Sequence, residues 1–189
     1  MDRYKTVCCT GSRPQGFAWG YKNKNHRFHK VYMRFMKLVV EQYIKDGFIY
    51  FVSGGAKGVD MDFAETVLDF REKYPHIRLE IAVPCPNQTK KWTNEEKTRY
   101  QNILDRANTV TLLSQEYTAT CMMECNEYMV NKSNAVIVFW NGSPRGGACY
   151  TIDYARKRAV FVDSIFLPSF LYDADYKEYL LSFKKRQKE

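Results

Sequence analysis

The chain has 189 residues, of which 45% are hydrophobic and 15% aromatic, and it carries a formal net charge of +8. This length suits one domain, so we expect a single unit over residues 1–189 with a core over about 5–162 and a helical tail over 168–189. The absence of a membrane-spanning apolar run and of an apolar signal region predicts a cytoplasmic protein without a membrane partner. The charge favours an anionic partner.

The six cysteines do not follow the spacing of a metal site or a disulfide framework. Cys8 and Cys9 are adjacent on a predicted strand and therefore point to opposite faces of the sheet. Cys121 and Cys125 have no second pair and no nearby histidine. We therefore expect reduced, mostly buried thiols, no disulfide and no structural metal. The sequence also gives no reason to expect a cofactor.

Apolar residues alternate along the chain between strand-like and helix-like periodicity. The predicted strands are 5–10, 48–52, 79–83, 109–113, 135–140 and 159–162. The predicted helices are 28–46, 59–73, 94–107, 119–131 and 146–157. Gly47 and Pro75 are expected to end the first two helices, and Asn94 to cap the third. This order predicts right-handed crossovers and a Rossmann-like three-layer α/β/α sandwich with a mostly parallel sheet.

Three polar, glycine-bearing loops follow three of the predicted strands, at the edge where open parallel sheets bind ligands. Glycine lets backbone N–H groups approach an anion, and a following helix N-terminus adds partial positive charge. The loops are residues 10–14, 53–60 and 141–148. The predicted ligand-binding residues are Gly11, Ser12, Arg13, Ser53, Gly54, Gly55, Gly58, Asp60, Asn126, Trp140, Gly142, Arg145, Gly146 and Gly147.

Four of the candidate residues each have a second interpretation. Arg13 follows a strand in a loop stiffened by Pro14, so it is a candidate phosphate ligand or otherwise a surface ion-pair partner. Trp140 is either a core residue or a stacking surface for a base. Asp60 and Glu124 are the candidate catalytic carboxylates, although Asp60 also suits the first turn of a helix and Glu124 a solvated face.

Basic residues are concentrated on the first predicted helix and in the tail. Arg27, Lys30, Arg34 and Lys37 share that helix, a pattern more typical of a solvated helix face than of a nucleic-acid site. Nucleic acid is therefore the less favoured partner, and a homo-oligomer is left open.

The three loops together resemble those of the SLOG superfamily. The resemblance rests on residues 9–14, 53–60 and 146–147, and it extends over about residues 5–160. Further support comes from Pro84, Gln88, Trp92, Tyr100, Ile103, Leu104, Asn126, Tyr128, Met129 and Val130. Within the superfamily the chain looks most like the YpsA-like branch, a set of small bacterial and phage proteins.

The resemblance implies a Rossmann-like fold that binds a nucleotide derivative such as ADP-ribose, NAD or a cyclic relative, as a sensor or sequestering protein. The superfamily also includes phosphoribohydrolases and the DprA/Smf group, which gives two alternatives, a nucleotide N-glycosidase and a DNA-binding accessory protein. The hydrolase signature pairs arginine with glutamate in a Pro-Gly-Gly-x-Gly-Thr context. Residues 143–148 lack that threonine and glutamate, and Cys125 stands where branch members often carry arginine. Both departures favour binding over catalysis.

Overall fold

The computed structural model describes residues 5–168, which form six strands and five α-helices. The strands are β1 (Lys5–Gly11), β2 (Phe48–Ser53), β3 (Arg78–Val83), β4 (Thr109–Leu112), β5 (Ala135–Trp140) and β6 (Phe161–Phe166). The helices are α1 (Arg27–Lys45), α2 (Val59–Lys73), α3 (Asn94–Arg106), α4 (Cys121–Asn131) and α5 (Gly147–Lys157). The predicted tail helix, from residue 169 onward, lies outside the described residues.

All six strands pair in parallel, in the order β4-β3-β2-β1-β5-β6. The chain adds strands in one direction from β1 to β4, and β5 then returns to the other side of β1. The loops after β1 and β5 therefore lead away from each other and leave a crevice at the carboxyl edge of the sheet, where such folds bind ligands. The predicted Rossmann-like α/β class is confirmed.

The helices form two layers, one on each face of the sheet. Helices α1, α2 and α3 pack in sequence on one face, while α4 and α5 pack together on the other. Adjacent residues of β1 enter the two cores as the strand periodicity predicts, because Cys9 belongs to the cluster beneath α1 and α2 and Cys8 to the cluster beneath α4 and α5.

Several element ends differ from the prediction by one to four residues, and two of these differences have a local physical reason. Thr93, not Asn94, caps α3, because its hydroxyl accepts from the Glu96 amide at 3.2 Å while the Glu96 carboxylate accepts from the Thr93 amide at 2.9 Å. Strand β6 begins at Phe161 rather than at residue 159, since Ala159 turns the chain with a φ of 54°. It continues to Phe166 through polar residues that hide the strand pattern.

Within residues 5–168, no helix has the length and apolar content needed to cross a membrane. The same residues hold no group of three or more His, Cys, Asp or Glu side chains that could bind a metal ion. Cys8, Cys9, Cys85, Cys121 and Cys125 are buried and Cys149 is half-buried, so the expectation of mostly buried thiols is confirmed.

Candidate functional site

A cavity of about 290 Å³ opens at the carboxyl edge of the sheet, between the loops that follow β1 and β5. The structure brings nine predicted residues together in its lining, namely Gly11, Ser12, Arg13, Asp60, Asn126, Trp140, Arg145, Gly146 and Gly147. The prediction omitted six others that also line it, namely Thr10, Gln15, Gly16, Asn141, Ser143 and Ala148. All six are close neighbours of predicted residues in the chain.

The loop after β1 is held against β5 by one backbone hydrogen bond and by a close approach. The Ser12 amide donates to the Phe139 carbonyl at 2.8 Å, which extends the contact between the two strands. Pro14 then begins a short 3-10 turn. A Cβ added at Gly16 in this turn would lie 2.8 Å from the Ser12 Cβ and 3.2 Å from the Asn141 side-chain nitrogen. A larger residue at position 16 would therefore crowd Ser12 within this loop and press on the Asn141 side chain of the facing loop. Pro14 was the sequence signal for this turn.

The loop after β5 leads directly into the N-terminus of α5. The Ser143 amide donates to the Asn141 side chain at 3.2 Å, and the Ser143 hydroxyl donates to the Arg145 carbonyl at 3.0 Å. Gly146 is the N-cap, and no side chain among residues 5–168 caps the helix there. The first amides of α5 therefore face the cavity with the partial positive charge of a helix N-terminus, an arrangement that suits an anion.

Two arginines add full positive charge at the same opening. The side chains of Arg13 and Arg145 are exposed, and both residues line the cavity. Neither guanidinium makes a hydrogen bond or an ion pair with any other residue of the described chain. Each therefore has its donors available to an incoming anion, and a guanidinium can donate two parallel hydrogen bonds to one phosphate.

Asp60 is the one carboxylate in the lining of this cavity, and it is nearly buried at 6% exposure. Burial raises the pKa of Asp60 to about 6, while the Arg13 guanidinium and the backbone amides of Ala56 and Asp60 itself oppose that shift. The carboxyl group therefore changes its charge between mildly acidic and neutral pH. Such a group beside a cavity can act as a proton donor or acceptor.

The glycine loop after β2 supports the site and contributes only Asp60 to its lining. The other residues predicted there as ligand-binding, Ser53, Gly54, Gly55 and Gly58, do not line the cavity. The buried Ser53 hydroxyl donates to the Asp60 carbonyl at 2.8 Å and accepts from the Gly55 amide at 3.2 Å. At Gly54, an added Cβ would lie 3.0 Å from the Asp60 carboxylate.

The N-terminus of α2 is already bonded within the protein, which is why it does not offer a second anion seat. The Val59 amide donates to the Ser12 carbonyl at 3.3 Å, and the Met61 amide donates to the Ala56 carbonyl at 3.2 Å. Gly58 has a φ of 99°, and a Cβ there would lie 2.4 Å from the Ser12 carbonyl oxygen. Glycine is thus required because α2 packs directly against the loop after β1.

Besides the residues of the glycine loop, Gly142 and Glu124 also lie away from the cavity lining. A Cβ on Gly55 would lie 2.7 Å from the Tyr100 ring, and a Cβ on Gly142 would lie 2.7 Å from the Phe166 ring. Glu124 is exposed on α4 and accepts a hydrogen bond from the Thr120 hydroxyl at 2.7 Å. Of the two candidate catalytic carboxylates, the structure therefore places Asp60 at the cavity and Glu124 outside it.

A buried network that the sequence analysis missed lies behind this site. Asp62, at 1% exposure, accepts from the hydroxyls of Tyr21 at 2.8 Å and Tyr32 at 2.9 Å and from Arg99 at 2.7 Å. Arg99 also binds Glu65 through two hydrogen bonds of 2.7 and 2.6 Å. The network ties the loop after β1 to α1, α2 and α3. In the sequence, the only sign of this network was an aspartate between two apolar residues of a predicted helix.

The parallel sheet with its cavity at the crevice beside β1 defines a Rossmann-like α/β protein with a ligand-sized cleft. The family described as the YspA SLOG family, YpsA, matches residues 7–164. The chain therefore belongs to this family, and the predicted resemblance to the YpsA-like branch of the SLOG superfamily is confirmed.

Relatives of this chain are found in bacteria and in a prophage. The UPF0398 protein BH1768 of Halalkalibacterium halodurans is 26% identical over 156 residues, 82% of this chain and 82% of that protein. The SPbeta prophage-derived protein YoqJ of Bacillus subtilis is 27% identical over 146 residues, 71% of this chain and 85% of YoqJ.

Among solved structures, the chain is similar to DNA processing protein A (DprA) from Streptococcus pneumoniae. The two share a TM-score of 0.56 and 16% sequence identity. The match covers 85% of this chain and 50% of the DprA chain, so this chain spans half of DprA. At this identity the similarity supports the shared fold and no further property.

Proposed function

We propose that the cavity beside β1 binds the phosphate of a nucleotide derivative, such as ADP-ribose, NAD or a cyclic relative. The observation that carries this proposal is the convergence of two unpaired guanidinium groups, on Arg13 and Arg145, at the uncapped N-terminus of α5. Helix N-termini and arginines are the groups that proteins use to hold phosphate. The half-buried Trp140 in the same lining offers a surface for a base.

A protein with this site would act as a sensor of the nucleotide or as a protein that sequesters it. Membership of the SLOG family supports a nucleotide-derived ligand. The predicted cytoplasmic location is consistent with such a ligand. A homo-oligomer stays a prediction, to be checked by the mass of the purified protein in solution.

The affinity for a nucleotide should fall when Arg13 is replaced by alanine. We expect Arg13→Ala to weaken binding by about 1.5 to 3 kcal/mol, the range for hydrogen bonds to charged groups. Calorimetric titration with a panel of adenine nucleotides, NAD and ADP-ribose measures the effect. The matched control is Arg158→Ala, which removes an exposed arginine at the other end of α5 and should leave the affinity unchanged.

Two results would count against the proposal. The first is the absence of binding heat for every nucleotide of the panel with the unaltered protein. The second is an equal loss of affinity in Arg13→Ala and Arg158→Ala, which would attribute the effect to net charge rather than to a contact in the cavity.

A second candidate function is cleavage of an N-glycosidic bond in the bound nucleotide. It is favoured by Asp60, whose raised pKa and position in the cavity suit a group that transfers a proton to or from a reacting sugar or base. It is disfavoured by the loop at residues 143–148, which lacks the glutamate of the hydrolase signature. Binding without fast turnover is therefore the preferred function.

Incubation of the protein with NAD, ADP-ribose and nucleoside monophosphates, followed by chromatography, tests for turnover. We expect the ligand to be recovered intact. Repeated turnover that disappears in Asp60→Asn and persists in Glu124→Gln would instead establish the enzyme, because only the first of these carboxylates lies at the cavity. The two variants remove the same charge, so each is the control for the other.

A further inference from the structure

The N-terminal part of the chain contains a long segment without acidic residues. Between Asp2 and Glu41 there is no aspartate or glutamate, whereas lysine and arginine recur throughout. Four of these cations, Arg27, Lys30, Arg34 and Lys37, lie on α1, and all four are exposed. The first three turns of α1 therefore carry a cluster of exposed positive charges.

The four cations form a continuous stripe along α1. At 3.6 residues per turn they fall within a sector of about 80°, and at 1.5 Å per residue the stripe is about 15 Å long. The ammonium group of Lys30 makes no hydrogen bond or ion pair with the rest of the described chain, although its backbone amide donates to the His26 carbonyl. Arg27 contacts the ring of Phe28 at 4.5 Å through its guanidinium face, which leaves the guanidinium donors directed outward.

A groove with an apolar floor runs beside this stripe, between α1 and α2. It consists of two adjoining cavities of about 410 and 350 Å³ that share Lys30 and Met33 in their linings. Leu38 and Phe70, both half-buried, supply further apolar surface to the floor. The groove therefore places apolar surface next to a line of positive charges, and Glu41, the one acidic residue of α1 in its lining, is already paired with Lys45 and Lys73.

The acidic residues on the α2 side of the groove are bound within the protein. Asp62 and Glu65 accept hydrogen bonds from Arg99, and Asp69 lies 3.7 Å from the Lys37 ammonium. The α2 wall is thus largely neutralised, while the first half of the α1 stripe keeps its positive charge. An anionic partner is attracted to the α1 wall.

The apolar face of α1 cannot insert into a lipid surface, because it forms part of the core. Its residues Tyr32, Phe35, Met36, Val39 and Val40 are at most 1% exposed. Interfacial helices bind membranes through an exposed apolar face, which α1 lacks. A line of cations beside an apolar floor instead suits a chain that carries phosphates on one side and unpaired bases on the other.

We propose that the stripe on α1 and the adjoining groove bind single-stranded nucleic acid without sequence preference. The phosphates contact Arg27, Lys30, Arg34 and Lys37, and the bases contact the floor formed by Met33, Leu38 and Phe70. A duplex binds less well, since its bases are stacked inside and cannot reach the floor. This surface is separate from the nucleotide cavity, so either property can hold without the other.

Fluorescence anisotropy with a labelled oligothymidylate of about 20 nucleotides tests the proposal. Four phosphate contacts predict a slope of about −3 for the logarithm of the binding constant against the logarithm of salt concentration. We expect Arg27→Glu combined with Lys30→Glu to weaken binding at least tenfold and to reduce the slope by about half. Acidic residues in the first turn complement the helix dipole, so this variant should fold. If it does not fold, Lys30→Gln alone should reduce the slope by about 0.7.

The matched control removes charge from the tail, through Lys184→Gln, Lys185→Gln, Arg186→Gln and Lys188→Gln. Reversal of two cations and neutralisation of four each lower the net charge by 4, so the two variants have the same net charge and change it at different places. We expect the tail variant to bind within about threefold of the unaltered protein. The proposal is wrong if the unaltered protein does not bind the oligonucleotide at low salt or if both variants lose the same affinity. It is also wrong if a duplex binds as tightly as the single strand, or if anionic lipid vesicles bind and the oligonucleotide does not.

Discussion

Replacing Asp62 with alanine is expected to lower the free energy of unfolding by about 3 to 5 kcal/mol, the range for breaking a buried ion pair by removing one partner. The carboxylate is almost fully buried and accepts hydrogen bonds from two tyrosine hydroxyls and one guanidinium. Its removal leaves Tyr21 and Tyr32 without this acceptor. Arg99 keeps its pair of hydrogen bonds to Glu65, which limits the loss.

Urea denaturation at neutral pH measures this effect. The matched control is Asp69→Ala on the same helix, because Asp69 is exposed and its only ion pair within residues 5–168 is a 3.7 Å contact with Lys37. Surface pairs of this kind contribute about 0 to 1 kcal/mol. A similar small loss in Asp62→Ala would show that the buried network does not stabilise the fold.

The Asp62 network should also affect the nucleotide cavity. The Tyr21 hydroxyl lies 3.4 Å from the Gly58 carbonyl, and Gly58 packs directly against the Ser12 carbonyl beside the cavity. Loosening of Tyr21 is therefore expected to disturb the position of the loop after β1. A double-mutant cycle measured on the free energy of unfolding, with Asp62→Ala and Tyr21→Phe, tests whether the two residues act together. It should show a coupling energy well above about 0.5 kcal/mol, the error within which independent sites add.

The sequence was sufficient to predict the fold, because short apolar strands alternate with helices and the glycine-bearing loops follow the strands. The sequence was also sufficient to predict most of the residues that line the cavity, since the loops that follow the strands of a parallel sheet open at the same edge. It could not show that β5 is inserted beside β1 rather than beyond β4. That strand order decides which two of the three loops face each other.

The loop at residues 53–60 shows why a glycine-rich turn before a helix does not by itself define a phosphate site. The same pattern that predicts free amides also allows close packing, and here the amides of Val59 and Met61 donate to protein carbonyls. The glycine at position 58 is needed for contact with the loop after β1. Local sequence does not distinguish these roles, because the distinction depends on which backbone lies opposite the turn.

Asp60 should make the stability of the protein depend on pH between about 4 and 6. Its pKa is about 6 in the folded protein against an unperturbed value of 3.8, so over this range the folded state holds a proton that the unfolded state has released. The free energy of unfolding therefore decreases as the pH rises from about 4 to 6. At a higher pH the full cost of the ionised carboxylate, about 3 kcal/mol, remains.

The comparison with Asp60→Asn isolates this contribution from those of other carboxylates. We expect the two proteins to be nearly equal in stability at about pH 4, and the variant to be more stable by up to about 3 kcal/mol above about pH 7. Glu124→Gln is the control, and its difference from the unaltered protein should not change with pH. A constant difference for Asp60→Asn would show that the pKa of Asp60 is not raised by folding.

A phosphate bound in the cavity should raise the pKa of Asp60 further, so nucleotide binding should itself depend on pH. Its negative charge would lie near Asp60, since Asp60, Arg13 and the N-terminus of α5 line one cavity. A like charge favours the neutral carboxyl form, so binding of an anion should be accompanied by uptake of a proton. Nucleotide affinity is therefore expected to increase as the pH falls from neutrality toward about 6. The Asp60→Asn variant should not show this increase. A phosphate-free nucleoside at the same site should show a much weaker pH dependence, and an equally strong one would argue against a phosphate beside Asp60.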